Sequence, residues 1–346
     1  MNLRGIFAVC ALSGLLFGSH VQAQNVGACP APQNAAELEA LPVPPRDRTE
    51  LAIRLLGLAS PQPAAAPPNY QIGDKEFFFV VNDDESIPVQ ATLRVMGEHI
   101  YLWVESDAAN EISNADLEAI AHVFDTRVYP ETRALWGDEA NPGFDGDSHI
   151  YGVFTNGLGA TAAAYFSSDN SAPAGTVPSG NGHEMFMFNL DVLAYGIDIP
   201  SIASIVAHEF HHMIRHNLQP GMELWMNEGL SEFTQTYLFD DPGYAVFDFM
   251  YRPDTQLNTW AEAGDLRGYH YGAALAWITY FYERYGIEAL EQVAAANSQR
   301  GLLAFDQVLQ QMGEPGVMIC LLIGSSPMPS IRWTMLAFTT IQYSGF

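Results

Sequence analysis

Three runs near the start of the chain body combine aromatic and β-branched residues with interspersed polar positions: "EFFFVV" from Glu76, "IPVQATLRVM" from Ile87 and "HIYLWVES" from His99. Broken by the turn-forming "NDDES" and "GE", they predict strands of an antiparallel sheet. The period then lengthens. In "ISNADLEAIAHVFDTRVYPETRALWG", Leu117, Ile120, Ala121 and Phe124 recur at helical spacing, and Ser113 with Asp116 forms a capping pattern, so a helix should pack on that sheet. "NPGFDGDSHIYGVFTNGLG" predicts one further strand among turns, and "SGNGHEMFMFNLD" another. A helix follows over about Ile202 to His216, with Ile202, Ile205, Val206, Phe210, Met213 and Ile214 available to pack it. Beyond Asn217 the pattern is helical in "ELWMNEGLSEFTQTYLF", "YHYGAALAWITYFYERYG" and "GLLAFDQVLQQMG". The expected class is α+β, an N-terminal mixed sheet followed by a mainly helical C-terminal lobe.

The flanks differ from this body. Residues 1–23 show a basic start at Arg4, an apolar run and a small-residue site at Val21-Gln22-Ala23, which reads as a secretory signal of the bacterial export type. Residues 24–69, with one short helical candidate, "DRTELAIRLLGLA", between proline-rich pieces, read as a linker or propeptide-like segment. The ordered domain is expected over 70–315. From Gly316 to Phe346 the only charged residue is Arg332, against 16% charged residues in the whole chain. Two origins fit such a break: a shifted reading frame or truncation, and a buried C-terminal segment. Its longest apolar run is too short to span a bilayer, so no transmembrane segment is expected.

A net charge of -26, from 40 acidic and 14 basic residues with Lys75 the only lysine, repels phosphate backbones and argues against nucleic-acid binding. Cys10 falls in the export signal. Cys29 and Cys320 can pair in an oxidising compartment, but two cysteines do not make a disulfide framework.

The chemistry concentrates in "VAHEFHHMIRH". His208, Glu209 and His212 form H-E-x-x-H, and residues four apart on a helix share a face, so both imidazoles can reach one ion. Zinc suits two neutral nitrogens and a carboxylate. Glu209, one step round the helix, can reach a water beside the metal as general base. For a third ligand, Arg215 and Leu218 stand where a metzincin needs glycine and histidine. Downstream, Glu223, Glu228 and Glu232 are available, the last two on one helical face.

"HEFHH" followed by "WMNEGLSEF" resembles the gluzincin metallopeptidases. In thermolysin-like members the ligand glutamate follows an asparagine and an acidic residue four positions on orients the first histidine. In aminopeptidase N-like members the ligand lies in W-x-N-E-G. Both comparisons imply Glu228 as ligand and Glu232 as the support of His208. The thermolysin loop length would instead land on Glu232, but loops absorb insertions easily and the local pattern is preferred. Residues 70–312, through "YQIGDKEFFFVVN", "PGFDGDSHIYGVF" and "AAYFSSDN", are similar to secreted zinc peptidases of the hyicolysin and immune inhibitor A kind. The resemblance implies a zincin-like fold and extracellular hydrolysis of protein or peptide substrates by a zinc-activated water.

Several residues remain open on this reading. Tyr269 or Tyr271, in "GYHYGAA" ahead of the predicted helix, is a candidate donor to the oxyanion, with aromatic packing the competing role. His211 and His216 are expected to be structural or solvent-facing, with a place on the rim as a further option for His216, and His183 to serve a core or strand. Asp145 and Asp147 are candidates for Ca2+, although their spacing favours a solvated turn. Glu184 is the one remote candidate for holding a free amine in an aminopeptidase, where the G-A-M-E-N signature is missing. The two alternatives to an endopeptidase are therefore an aminopeptidase and a non-catalytic surface module carrying zinc.

Overall fold

The computed structural model describes residues 48–317, apart from 61, 63, 65, 82–84, 160–162, 197, 263 and 297–300. The export signal, most of the segment before Tyr70, the Cys29–Cys320 pairing and the tail past Val317 lie outside the described residues. After α1 (Arg48–Leu56) come three strands, β1 (Lys75–Val81), β2 (Ser86–Met96) and β3 (Ile100–Glu105). Two helices follow, α2 (Asn114–Val123) and α3 (Tyr129–Trp136), then β4 (Ile150–Thr155), β5 (Ala164–Phe166), the single turn α4 (Ser168–Ser171) and β6 (Met185–Asn189). The rest is helical: α5 (Leu190–Leu193), α6 (Ile199–Leu218), α7 (Leu224–Phe239), α8 (Ala245–Tyr251), α9 (Gly264–Tyr285), α10 (Ile287–Ala295) and α11 (Gly301–Gln311). The chain is thus of mixed α+β type.

The sheet runs β1-β2-β3-β4-β6-β5. β1, β2 and β3 form the expected antiparallel meander, β4 and β6 join in parallel, and β5 closes the far edge antiparallel to β6. The three central strands are buried on both faces, which is why their sequences read as nearly continuous apolar runs. Alternation divides them between two cores. Ile100, Leu102, Phe154, Phe186 and Phe188 face the helices, while Tyr101, Trp103, Tyr151, Val153, Met185 and Met187 face the other way, onto Phe78, Val80 and Leu93.

Between α2 and α3 the helix widens into a π segment, Phe124–Val128. Pro130, near the start of α3, has no N–H to close a regular turn, which accounts for the irregularity. The segment presents Asp125 to the β2–β3 turn, where its carboxylate accepts from the backbone N–H groups of Glu98 (2.7 Å) and His99 (2.9 Å). The predicted cap is present, with Ser113 Oγ accepting from Asp116 N at 3.1 Å. The free edge of β1 is partly covered by a side chain: Phe79 N–H donates to Asn181 Oδ1 (2.8 Å), and Asn181 Nδ2 donates to Phe79 O (2.9 Å).

Asp145 and Asp147 do not form the solvated turn that their spacing suggests. Asp147 is 6% exposed. Asp145 Oδ2 accepts from Tyr151 OH (2.9 Å) and meets His183 Nδ1 at 2.8 Å, and Asp147 Oδ1 meets His149 Nδ1 at 2.5 Å. Both carboxylates are therefore engaged beside the second core, where His183 also stacks on Tyr151 at 4.1 Å. Burial alone would lower the His183 pKa, but Asp145 and Glu76 outweigh it and push it up to about 9. Since the unfolded-state value is lower, near 6.5, this contribution to stability is complete below about pH 6.5 and is lost as the pH rises through 9. Asp145 and Glu76 have depressed pKa values despite burial, through His183 and the hydroxyl donors, so their share is lost on acidification instead. Thermal unfolding of wild type and His183→Gln across pH 6 to 10 should give curves that converge toward the alkaline end. Parallel curves would contradict an ionised His183.

Candidate metal centre

Asp198 caps α6, accepting from Ser201 N at 3.0 Å, and Pro200 occupies its first turn, where no N–H is needed. The helix begins three residues earlier and ends two later than its apolar pattern indicates. Its buried stripe of Ile202, Val206, Phe210, Met213 and Ile214 packs on the first core, leaving His208, Glu209 and His212 toward a cleft of about 520 Å³. Across that cleft lies α7. Glu223, just before it, accepts from Trp225 Nε1 (2.8 Å) and from the N–H of Gly301 at the start of α11 (3.1 Å), so it anchors the helix and takes no part in the cleft.

Three donor atoms converge. His208 Nε2 and His212 Nε2 are 3.2 Å apart, and Glu228 Oε2 lies 3.5 Å and 3.3 Å from them. A tetrahedral ion with bonds of about 2.0–2.1 Å would separate its donors by about 3.3 Å, so these atoms match one face of such a tetrahedron. Glu228 Oε2 is buried without a hydrogen-bond partner, a costly state that a cation would relieve. Among the described residues this is the one group of three or more His, Cys, Asp or Glu placed to hold a metal ion. Glu232, one turn on, instead approaches the opposite nitrogen of His208, with Oε1 3.6 Å from Nδ1.

The electrostatics follow from burial and crowding. Burial raises the Glu209 carboxyl above its ordinary value against the pull of His208 and His212, and the Phe166 N–H donates to its Oε2 at 2.8 Å. Burial likewise raises Glu232, to about 7. Burial acts in the same direction on Glu228, but the two imidazoles dominate and hold it well below the carboxylate range. His208 and His212 are opposed by burial yet raised by the acids around them, His212 to about 9.

His211 is fully buried, so the solvent-facing option does not apply to it. Burial, then Arg215, holds its pKa well below the usual value, and its Nδ1 lies 2.7 Å from Ser231 Oγ. His216 is exposed and lines the cleft, as does Tyr271. The "GYHYGAA" stretch is inside α9 and not ahead of it, because the helix starts at Gly264. Two positions apart, its tyrosines point to opposite sides of the helix: Tyr269 carries the Arg252 guanidinium over its ring at 4.7 Å and is not among the cleft residues. The Tyr271 phenol is raised by burial and by Glu228, Glu232 and Glu209. Glu184 lies against Gly143 and does not line the cleft.

Four contributors take roles that no local pattern in the sequence shows. β5 has only three residues, too few to show alternation, yet it supplies the Phe166 N–H. Ser231 bonds a histidine through a contact between helices. Arg215 donates to the carbonyls of Ala294 (2.9 Å) and Trp136, joining the ends of α10 and α3 beside the cleft. Gly229 lets α7 meet α9: a Cβ there would sit 2.9 Å from Ala274 Cβ and 3.2 Å from Ile278 Cγ1. No protein-family model matches the chain, and no curated protein matches it in sequence.

Because Gly229 follows Glu228 directly, Gly229→Ala should cost about 1–3 kcal/mol through overpacking. Denaturant unfolding measures this. An unchanged midpoint would mean that α7 and α9 tolerate a wider separation.

Proposed function

We propose that the chain is an exported zinc-dependent endopeptidase with a zincin-like fold of the gluzincin kind. The observation that carries this reading is the triangle of His208 Nε2, His212 Nε2 and Glu228 Oε2, with edges of 3.2, 3.3 and 3.5 Å, beside a half-buried carboxylate, Glu209, on the wall of an open cleft. Two histidines and one glutamate leave a fourth position for water or substrate, which distinguishes a catalytic zinc site from a closed structural one. The residues at 1–23 support export.

Zinc bound there would polarise the scissile carbonyl and make a water acidic enough to lose a proton near neutral pH. Glu209 accepts that proton as the water oxygen bonds to the carbonyl carbon. Its raised pKa lets it keep the proton long enough to deliver it to the amine nitrogen as the C–N bond breaks. The Phe166 N–H holds one carboxylate oxygen, which limits rotation of the side chain. Tyr271, kept protonated by its surroundings, donates to the oxyanion. Glu232 orients His208 from the side away from the cleft. β5 pairs with β6 on one side and lines the cleft with Ala164, Tyr165 and Phe166, so an extended peptide can lie along it as an added strand.

Glu209 and Glu228 are the carboxylates lining the cleft among the described residues, and both are committed. An aminopeptidase would need another for the substrate amine, which favours internal cleavage.

Elemental analysis of the purified protein should find one zinc per chain, and a chelator should abolish casein hydrolysis. Glu209→Gln should keep the zinc and lose about 10³-fold or more in kcat; unchanged hydrolysis would rule out the mechanism. Tyr271→Phe should lower kcat by about 10²-fold with KM little altered, whereas Tyr269→Phe should leave both near wild type.

A further inference from the structure

A histidine that binds a metal through Nε2 must carry its proton on Nδ1, and that proton needs an acceptor. For His212 the structure provides Ser231 Oγ, 3.2 Å from Nδ1. The same hydroxyl lies 2.7 Å from Nδ1 of His211, and Ser231 and His211 are both fully buried. One hydroxyl thus serves two imidazoles, donating its hydrogen to one and accepting through a lone pair from the other.

We infer that Ser231 and His211 form a hydrogen-bond relay that fixes His212 in the tautomer able to bind a metal through Nε2. The inference rests on the metal-binding reading above and adds to it a positioning role for His211, which does not touch the ion. In the competent order, His212 Nδ1–H donates to Ser231 Oγ, and Ser231 Oγ–H donates to His211 Nδ1. His211 then bears its own proton on Nε2, an atom with no hydrogen-bond partner, beside the Trp136 ring. In the reverse order, His211 Nδ1–H donates to Ser231, the hydroxyl donates to His212 Nδ1, and the hydrogen on His212 Nε2 points at the place of the ion. The two orders exclude each other, and of these two only the first leaves a lone pair on His212 Nε2.

A rival acceptor for the same proton is the Asn227 carboxamide, whose Oδ1 is buried without a partner and which lines the cleft. The test separates the two. Zinc affinity of the full-length protein is measured by competition with a chromogenic chelator, alongside the melting temperature of each zinc-free variant. Ser231→Ala should weaken zinc binding by about 10–100-fold. His211→Phe, which fills the space without an acceptor, should do the same. The double variant should be no weaker than either single one, because the two residues act in one chain. His211→Asn, with a carboxamide oxygen in reach of the Nδ1 position, should recover most of the affinity. If His211→Phe does not fold, Ser231→Ala and His211→Asn carry the comparison. Unaltered affinity in Ser231→Ala overturns the relay, as does a loss confined to Asn227→Ala, or losses that multiply in the double variant. A wild-type protein that takes up no stoichiometric zinc overturns the metal reading and the relay together.

Discussion

Glu209, Glu228 and Glu232 are held near one another, largely out of water, with two imidazoles between them. Like charges at such distances in a low dielectric repel strongly, and ionised carboxylates lose their hydration on burial. The arrangement answers this unevenly. Glu228 takes the ionised role because both His208 and His212 face it, while burial pushes Glu209 and Glu232 toward their neutral forms. A divalent cation at the three converging donors would add the positive charge that this set lacks. Much of the surrounding architecture serves to keep groups that repel one another from moving apart.

That restraint comes from contacts that are individually ordinary. α6 lies on the first core through its apolar stripe, α7 is pinned at its start through Glu223, and α9 approaches α7 over Gly229. Arg215 couples the ends of α3 and α10 to the helix that carries the histidines. Trp136, the last residue of α3, donates from its indole to Thr234 on α7 at 2.7 Å, so the two sides of the centre are also joined beneath it. The sheet contributes through β5, whose Phe166 N–H reaches Glu209 from the opposite wall.

Much of this was legible in the sequence where a periodic pattern was long enough. The meander, the capped helix after it and the helices around "HEFHH" and "WMNEGLSEF" stand close to where alternation and 3.6-residue spacing put them. The local pattern that pointed to Glu228 over Glu232 agrees with the placement of their side chains, since one meets both Nε2 atoms and the other meets Nδ1 of His208. β5 was missed because three residues have no measurable period, and α8 and α10 because short helices between longer ones offer few turns to read. Tyr269 and Tyr271 could not be told apart, since their difference depends on helix phase, and the start of α9 was placed too late. The Asp145 turn was misjudged for another reason: its partners Tyr151 and His183 are brought to it by sheet pairing, which no local window contains.

Asn181 has a consequence of a different kind. An edge strand with outward Phe77, Phe79 and Val81 is an invitation for a second chain to add itself by backbone pairing. The Asn181 carboxamide occupies the N–H and C=O of Phe79 as another strand would, in the middle of β1. This side chain, with the Tyr165 hydroxyl donating to Val81 O at 3.4 Å, thus occupies backbone groups of β1 through which a second chain could pair.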